Sequence, residues 1–251
     1  MTAVRRVEQV MGLPVSVAVR GPADLAAVDA AWAAVVAELR DVDRVFSRYR
    51  PDSVVSRLAR GEVGLDDCPP EVREVLALGD RAERESHGAF RVRRPGLDGA
   101  LELDADGVVK GWAVQRAARH LTALPDTGWC LSAGGDMVCS TPDPDAPPWR
   151  IGIEDPHSPD RVLAVVPVSN GAVATSGTAH RGQHLVDART GRPPSGVASV
   201  TVLADDLTWA DIDATAAFAL GPEAADWLST RPGRTGPVSY THLTLPTKRI
   251  V

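Results

Sequence analysis

The chain has 251 residues, 44% of them hydrophobic and 24% charged, enough to bury a sizeable core in one large domain or two intimate lobes. A net charge of -6 argues against a nucleic-acid groove or a polybasic membrane patch, which depend on a local basic excess, and leaves small molecules or proteins as partners. Cys68, Cys130 and Cys139 lack C-x-x-C spacing or histidine companions, so neither a disulfide framework nor a zinc site is indicated, and reduced thiols in a cytoplasmic setting are expected.

In chain order, Met1 to Val19 alternates polar and apolar residues around Arg5 and Arg6, which is not the apolar run of a signal peptide, and no stretch is apolar for long enough to span a bilayer. Val15 to Val19 reads as a strand ending at Gly21-Pro22. From Ala23 to Arg48, Leu25, Val28, Trp32, Val35, Leu39, Val42 and Phe46 recur every three or four positions, the pattern of a long amphipathic helix. Pro69-Pro70 opens a second helix that stops at Ser86-His87-Gly88. Asp104 to Gly107 lead into a third, KGWAVQRAARHLTAL. Trp129 to Ala133 is a short strand running into Gly134-Gly135-Asp136, and WRIGIE, VLAVVPV, AVAT and VASVTVLA are further strands. Helices follow at Ala210 to Leu220 and Pro222 to Ser229. Strands and helices come in clusters and not in βαβ alternation, which predicts an α+β fold with mixed or antiparallel sheets packed with helices.

From Pro237 the composition changes to PVSYTHLTLPTKRIV, which resembles a translated sequencing adapter. We therefore expect a domain over residues 1–236 that lacks its native ending, and a non-native, loosely placed tail over residues 237–251.

Four stretches carry chemistry: Asp104-x-x-Gly107-x-x-Lys110-Gly111-x-Ala113; Ser132-Ala-Gly-Gly-Asp136; Ala174-Thr-Ser-Gly177 with His184-Leu-Val-Asp187-x-Arg189-Thr-Gly191; and Ala210-Asp211-x-x-Ala214-Thr215. Gly-rich turns let backbone N–H groups approach phosphate oxygens, and a helix start after Gly107 adds positive partial charge beside Lys110. Lys110 is the only lysine before Lys248 in a chain that otherwise uses arginine, which suggests a place where a compact ammonium is needed. Asp211 and Thr215, four apart on a helix, project hard oxygens from one face, a donor set suited to Mg²⁺.

In this order and spacing the motifs resemble the ApbE family of FAD:protein FMN transferases. Met11-Gly12 and Phe46-Ser47-Arg48-Tyr49-Arg50-x-x-Ser53 also match, so the resemblance runs from about Met11 to Arg231. It implies an ApbE-like fold, FAD as substrate and Mg²⁺ as cofactor. Met11, Tyr49, Ala89, Phe90, Asp104, Lys110 and Val186 fall at positions that line the family's flavin and adenine pockets. The metal position is implied for the side chains of Asp211 and Thr215, the carbonyl of Gly107 and the position of Ala214, and His184 matches the histidine near the transferred phosphate. Two residues depart from the pattern: Arg91 stands where Asp is common, and Ala214 where some members carry a second acid.

The implied reaction is attack of a Thr or Ser hydroxyl of an acceptor protein on the FMN phosphorus with loss of AMP, His184 acting as base because its ordinary pKa lies near neutrality. Water as acceptor would make the same site an FAD pyrophosphatase. Without turnover it would be a flavin-binding protein.

Overall fold

The structure, a computed structural model, describes residues 3–95, 101–177 and 186–241. Strands β1 (Val4–Val10) and β2 (Leu13–Arg20) form a hairpin turned at Met11 and Gly12. Helix α1 (Leu25–Phe46) follows and buries Val28, Val35, Leu39, Val42 and Phe46 of the stripe expected from their spacing, whereas Trp32 is half-buried and Leu25, at the exposed first turn, is not covered. Each such burial contributes about 1.5–3 kcal/mol. The short α2 (Val54–Ala59) starts at Ser53, whose hydroxyl accepts from Ser56 N at 3.1 Å.

Helix α3 (Pro70–Glu85) has proline in its first turn and is closed by His87 and Gly88, both at positive φ, with Gly88 N donating to Glu83 O at 2.8 Å. That reversal delivers Ala89 and Phe90 to the interior. A small hairpin, β3 (Arg93–Pro95) and β4 (Leu101–Leu103), leads to α4 (Asp106–Ala118). Strands β5 (Gly128–Ala133), β6 (Asp136–Ser140), β7 (Trp149–Asp155), β8 (Ser158–Val168), β9 (Gly171–Gly177) and β10 (Val197–Ala204) precede α5 (Leu207–Leu220), α6 (Ala224–Ser229) and β11 (Val238–Tyr240).

Seven strands make the main sheet, in the order β1-β2-β5-β6-β9-β10-β11, every pairing antiparallel. The central strands β5 and β10 are buried along nearly their whole length, because α1, α4 and α5 cover one face and the separate β7–β8 hairpin covers part of the other. The α+β class expected from sequence is the class found. Among the described residues no helix is long and apolar enough to cross a membrane.

Several boundaries differ from the sequence reading. The third helix begins at Asp106 and gives way to a 3₁₀ turn after Ala118, and α5 begins at Leu207, so Asp211 lies in its second turn. Asp206 caps α5, its carboxylate accepting from Trp209 N at 3.2 Å. Strands β1, β3, β4, β6 and β11 and helix α2 have no counterpart in the sequence reading. The first residues of the segment expected to be loosely placed are ordered: Val238 is buried, β11 pairs with β10, and Thr201 N donates to Pro237 O at 3.0 Å. Apolar residues opposite an otherwise unpaired strand edge suffice to hold such a segment, whatever its origin.

Candidate functional site at one end of the main sheet

The turns Met11-Gly12 and Gly134-Gly135 lie at the same end of the sheet, since Val15 pairs with Ala133 and Gly134 N donates to Pro14 O at 3.1 Å. Gly134 and Gly135 take φ of 59° and 99°, the conformation of a tight two-residue hairpin turn, and so set Asp136 at the head of β6. Met11 adopts the same hand at φ 55°, which a side-chain-bearing residue does at a cost of about 1–2 kcal/mol.

Asp136, Lys110 and Asp211 meet at this end. The Lys110 ammonium is in direct ion-pair contact with Asp136 and stands 3.1 Å from Asp211 Oδ1. Both carboxylates are held by backbone as well: Thr175 N donates to Asp136 Oδ1 at 2.9 Å, and Gly111 N to Asp211 Oδ2 at 3.0 Å. Asp136 and Asp211 are each only 2% exposed. Burial pushes the Asp211 carboxyl up, to about 7, with Lys110 opposing and the Asp136 charge adding to the rise. Burial by itself disfavours the Lys110 ammonium, but Asp211 and Asp136 outweigh it and hold the group well above the ordinary lysine range. The two carboxylates thus favour the protonated form of Lys110.

Hydroxyls and glycine complete the centre. Thr215, one turn beyond Asp211 on α5, shares a 3.0 Å hydrogen bond with Ser176 at the end of β9. Gly107 lies against both Phe90 and Thr215: a Cβ there would stand 2.9 Å from Phe90 Cε2 and 3.8 Å from Thr215 Cγ2. Gly107, Lys110, Asp211, Thr215 and Phe90, expected from sequence, are therefore one neighbourhood. Ala214 is fully buried on α5 and has only its carbonyl to offer a metal. The donor set of carboxylate, hydroxyl and carbonyl oxygens is hard and fits Mg²⁺ in kind, with Lys110 and the Gly111 amide each engaging one Asp211 oxygen as the site stands.

Other expected residues lie further out. Asp104 pairs with Arg48 at 3.2 Å, and Arg48 also holds Asp106 at 3.0 Å, which ties the end of α1 to the start of α4. Tyr49 beside it is 87% exposed. Val186 is half-buried, and two residues on, Ala188 N donates to Ala89 O at 3.1 Å, linking that segment to the Ala89-Phe90 loop. Arg189 holds Asp187 in a forked ion pair there, Nε donating to Oδ1 and Nη2 to Oδ2, each at 2.9 Å, and this holds the Asp187 carboxyl below its usual range against the opposing effect of burial. Arg91 pairs with Glu83 at 3.0 Å and folds against Gly88. A groove of about 470 Å³ opens there between α3 and this turn, and its lining does not reach Lys110. His184 lies outside the described residues.

Sequence reading assigned no role to Asp136 or Ser176. Both stand inside quoted motifs, S-A-G-G-D and A-T-S-G, but only the pairing of β6 with β9 and the packing of α5 show that they face Lys110 and Thr215.

Fold and site together define an antiparallel α+β protein with a buried lysine–carboxylate centre where helices α4 and α5 cross beneath the sheet end. The chain belongs to the ApbE family, whose model matches residues 11–94 and 91–236. It is 38% identical over 186 residues to an FAD:protein FMN transferase of Rhodobacter capsulatus, covering 71% of this chain and 31% of that protein. With the FAD:protein FMN transferase of Vibrio cholerae it shares 33% identity over 133 residues, covering 49% and 40%. The chain thus spans about a third to two-fifths of the length of these relatives. Crystal structures of the ApbE protein from Thermotoga maritima (TM-score 0.82, 20% identity) and of the apo flavinyl transferase ApbE from Pseudomonas stutzeri (TM-score 0.81, 23% identity) share the fold, the matches covering 100% of this chain and 96% and 94% of theirs.

Proposed function

We propose that this chain transfers FMN from FAD to a Thr or Ser hydroxyl of an acceptor protein in a Mg²⁺-dependent reaction that releases AMP. The observation that carries the reading is the Lys110 ammonium fixed between two buried carboxylates beside the Ser176–Thr215 hydroxyl pair. Such a cation, favoured in its protonated form and held by backbone-anchored partners, is suited to bind and orient a pyrophosphate without reorganising. Asp211, Thr215 and the carbonyls of Gly107 and Ala214 are the proposed metal-holding groups. A Mg²⁺ bound there would supply charge neutralisation at the pyrophosphate.

Met11, Tyr49, Ala89, Phe90, Asp104 and Val186 are the proposed flavin and adenine contacts. Phe90 is supported by its packing on Gly107, which places an aromatic ring beside the centre. His184 is the proposed base, on the strength of its H-x-x-D-x-R-T-G motif. A cytoplasmic setting remains part of the proposal.

Incubation with FAD, Mg²⁺ and a Thr-containing acceptor domain, followed by mass spectrometry, tests the reading. An FMN adduct on the acceptor with equimolar AMP supports transfer. AMP and free FMN without an adduct would make the chain a pyrophosphatase, and bound FAD without AMP a binding protein.

A further inference from the structure

Cys130 on β5 and Cys139 on β6 are direct cross-strand partners in the antiparallel register. Opposed residues in such a ladder have Cα atoms about 4.5–5.5 Å apart, inside the range a disulfide spans. Their Sγ atoms stand 3.4 Å apart, the Cys139 thiol donating to Cys130. Both side chains face away from the lysine–carboxylate centre, into the small cluster that joins the main sheet to the β7–β8 hairpin through Ile151, Val168 and Val173. Nothing in the proposed transfer reaction uses them.

We propose that Cys130 and Cys139 form a reversible dithiol–disulfide site, with a peroxide as the oxidant. The hydrogen bond from Cys139 lowers the Cys130 thiol and Arg20 lowers it further against burial, whereas the same bond and burial raise Cys139. In the proposed sequence Cys130, which accepts the thiol hydrogen bond of Cys139, attacks first. Its thiolate attacks one peroxide oxygen, the O–O bond breaks, and the departing hydroxide takes the thiol proton to leave as water. Cys139 sulfur then attacks the Cys130 sulfenic sulfur, the S–S bond forms, the S–O bond breaks and a second water leaves with the Cys139 proton. The two sulfurs lose two electrons in all, and hydrogen peroxide is reduced to two waters. Both thiols are buried, Cys130 9% and Cys139 2% exposed, beneath Ile151 and Val168 of the β7–β8 hairpin, so the proposal requires local opening there for peroxide to reach them.

The site is tested on the full chain by treatment with hydrogen peroxide, blocking of residual thiols with N-ethylmaleimide, and non-reducing peptide mapping, with circular dichroism to verify that the fold persists. The expected result is a Cys130–Cys139 linked peptide, lighter by two hydrogens, formed in the folded protein, present equally in Cys68→Ala, and undone by dithiothreitol. Both cysteines recovered as maleimide adducts, as separate sulfinic acids, or linked only after denaturation would overturn the proposal.

Discussion

Gly111 of α4 sits directly against Asp211 of α5: its amide donates to Asp211 Oδ2 at 3.0 Å, and a Cβ on it would stand 2.8 Å from Asp211 Cβ and 2.7 Å from the Leu207 carbonyl. The helices approach this closely because residue 111 has no side chain, and the approach brings Asp211 to Lys110. Gly111→Ala should part the helices, destabilise the fold by roughly 1–3 kcal/mol and weaken metal-dependent FAD binding. Urea unfolding and calorimetric titration with FAD and Mg²⁺ check this; an unchanged midpoint together with unchanged affinity would show that the crossing can relax freely.

Asp211→Asn keeps the side chain's shape and removes a charge that burial already disfavours, while Asp136 still holds Lys110. The fold should therefore survive, whereas Mg²⁺ affinity measured in the presence of FAD should fall by at least about tenfold, a neutral amide being a poor ligand for a hard cation. Wild-type Mg²⁺ affinity in a folded Asp211→Asn protein would remove Asp211 from the metal site.

Lys110→Met leaves Asp136 and Asp211 buried without their cation, which costs on the order of 3–5 kcal/mol when one partner of a buried pair is lost. Lys110→Arg restores the charge, but a broad guanidinium must fit between two fixed carboxylates, so stability should recover more fully than FMN transfer. The comparison is made from thermal melts and from initial transfer rates of the two variants. Equal transfer by Arg and Lys would mean that the compact ammonium has no special part.

Glu38 accepts from His120, Arg116 and Arg119 at 3.1, 2.7 and 2.7 Å. Burial would raise its carboxyl, but these partners prevail and hold it below the ordinary 4.5. A carboxyl depressed in the folded state contributes stability that is complete above its unfolded value and is lost as pH falls through the folded one. The stability difference between wild type and Glu38→Gln should thus be largest near neutrality, about 1–3 kcal/mol, and shrink below pH 4.5. A difference independent of pH from 7 to 3 would rule out the ionised network as its source.

Deleting residues 237–251 removes Val238, which is 3% exposed, and the β11 pairing with β10. Burial of one valine contributes about 1.5–3 kcal/mol. At this chain length that corresponds to a fall in Tm of very roughly 3–12 °C. A loosely placed tail, the expectation from sequence, would leave Tm without appreciable change. A differential-scanning measurement on the shortened and full chains decides between them.

The sequence by itself determined the helix stripes, because burial on a helix repeats every three to four residues: Val28, Val35, Leu39 and Val42 follow that spacing and are buried. It also determined the order of the motifs and, through the lone lysine and the helix-spaced Asp211 and Thr215, named three candidates that the fold brings together. Strands β1 and β6 each pair with a neighbouring strand across a two-residue turn, at Met11-Gly12 and Gly134-Gly135, but β1 shows only a half-exposed alternation and β6 is five residues long, so neither carries a strong strand pattern of its own. Only the tertiary structure decided that Asp136 and Asp211 share one ammonium, that Ser176 reaches Thr215, and that Cys130 faces Cys139. Those relations come from sheet register and from the close crossing of two helices at Gly111, which are consequences of packing the whole chain and leave no local periodicity to read.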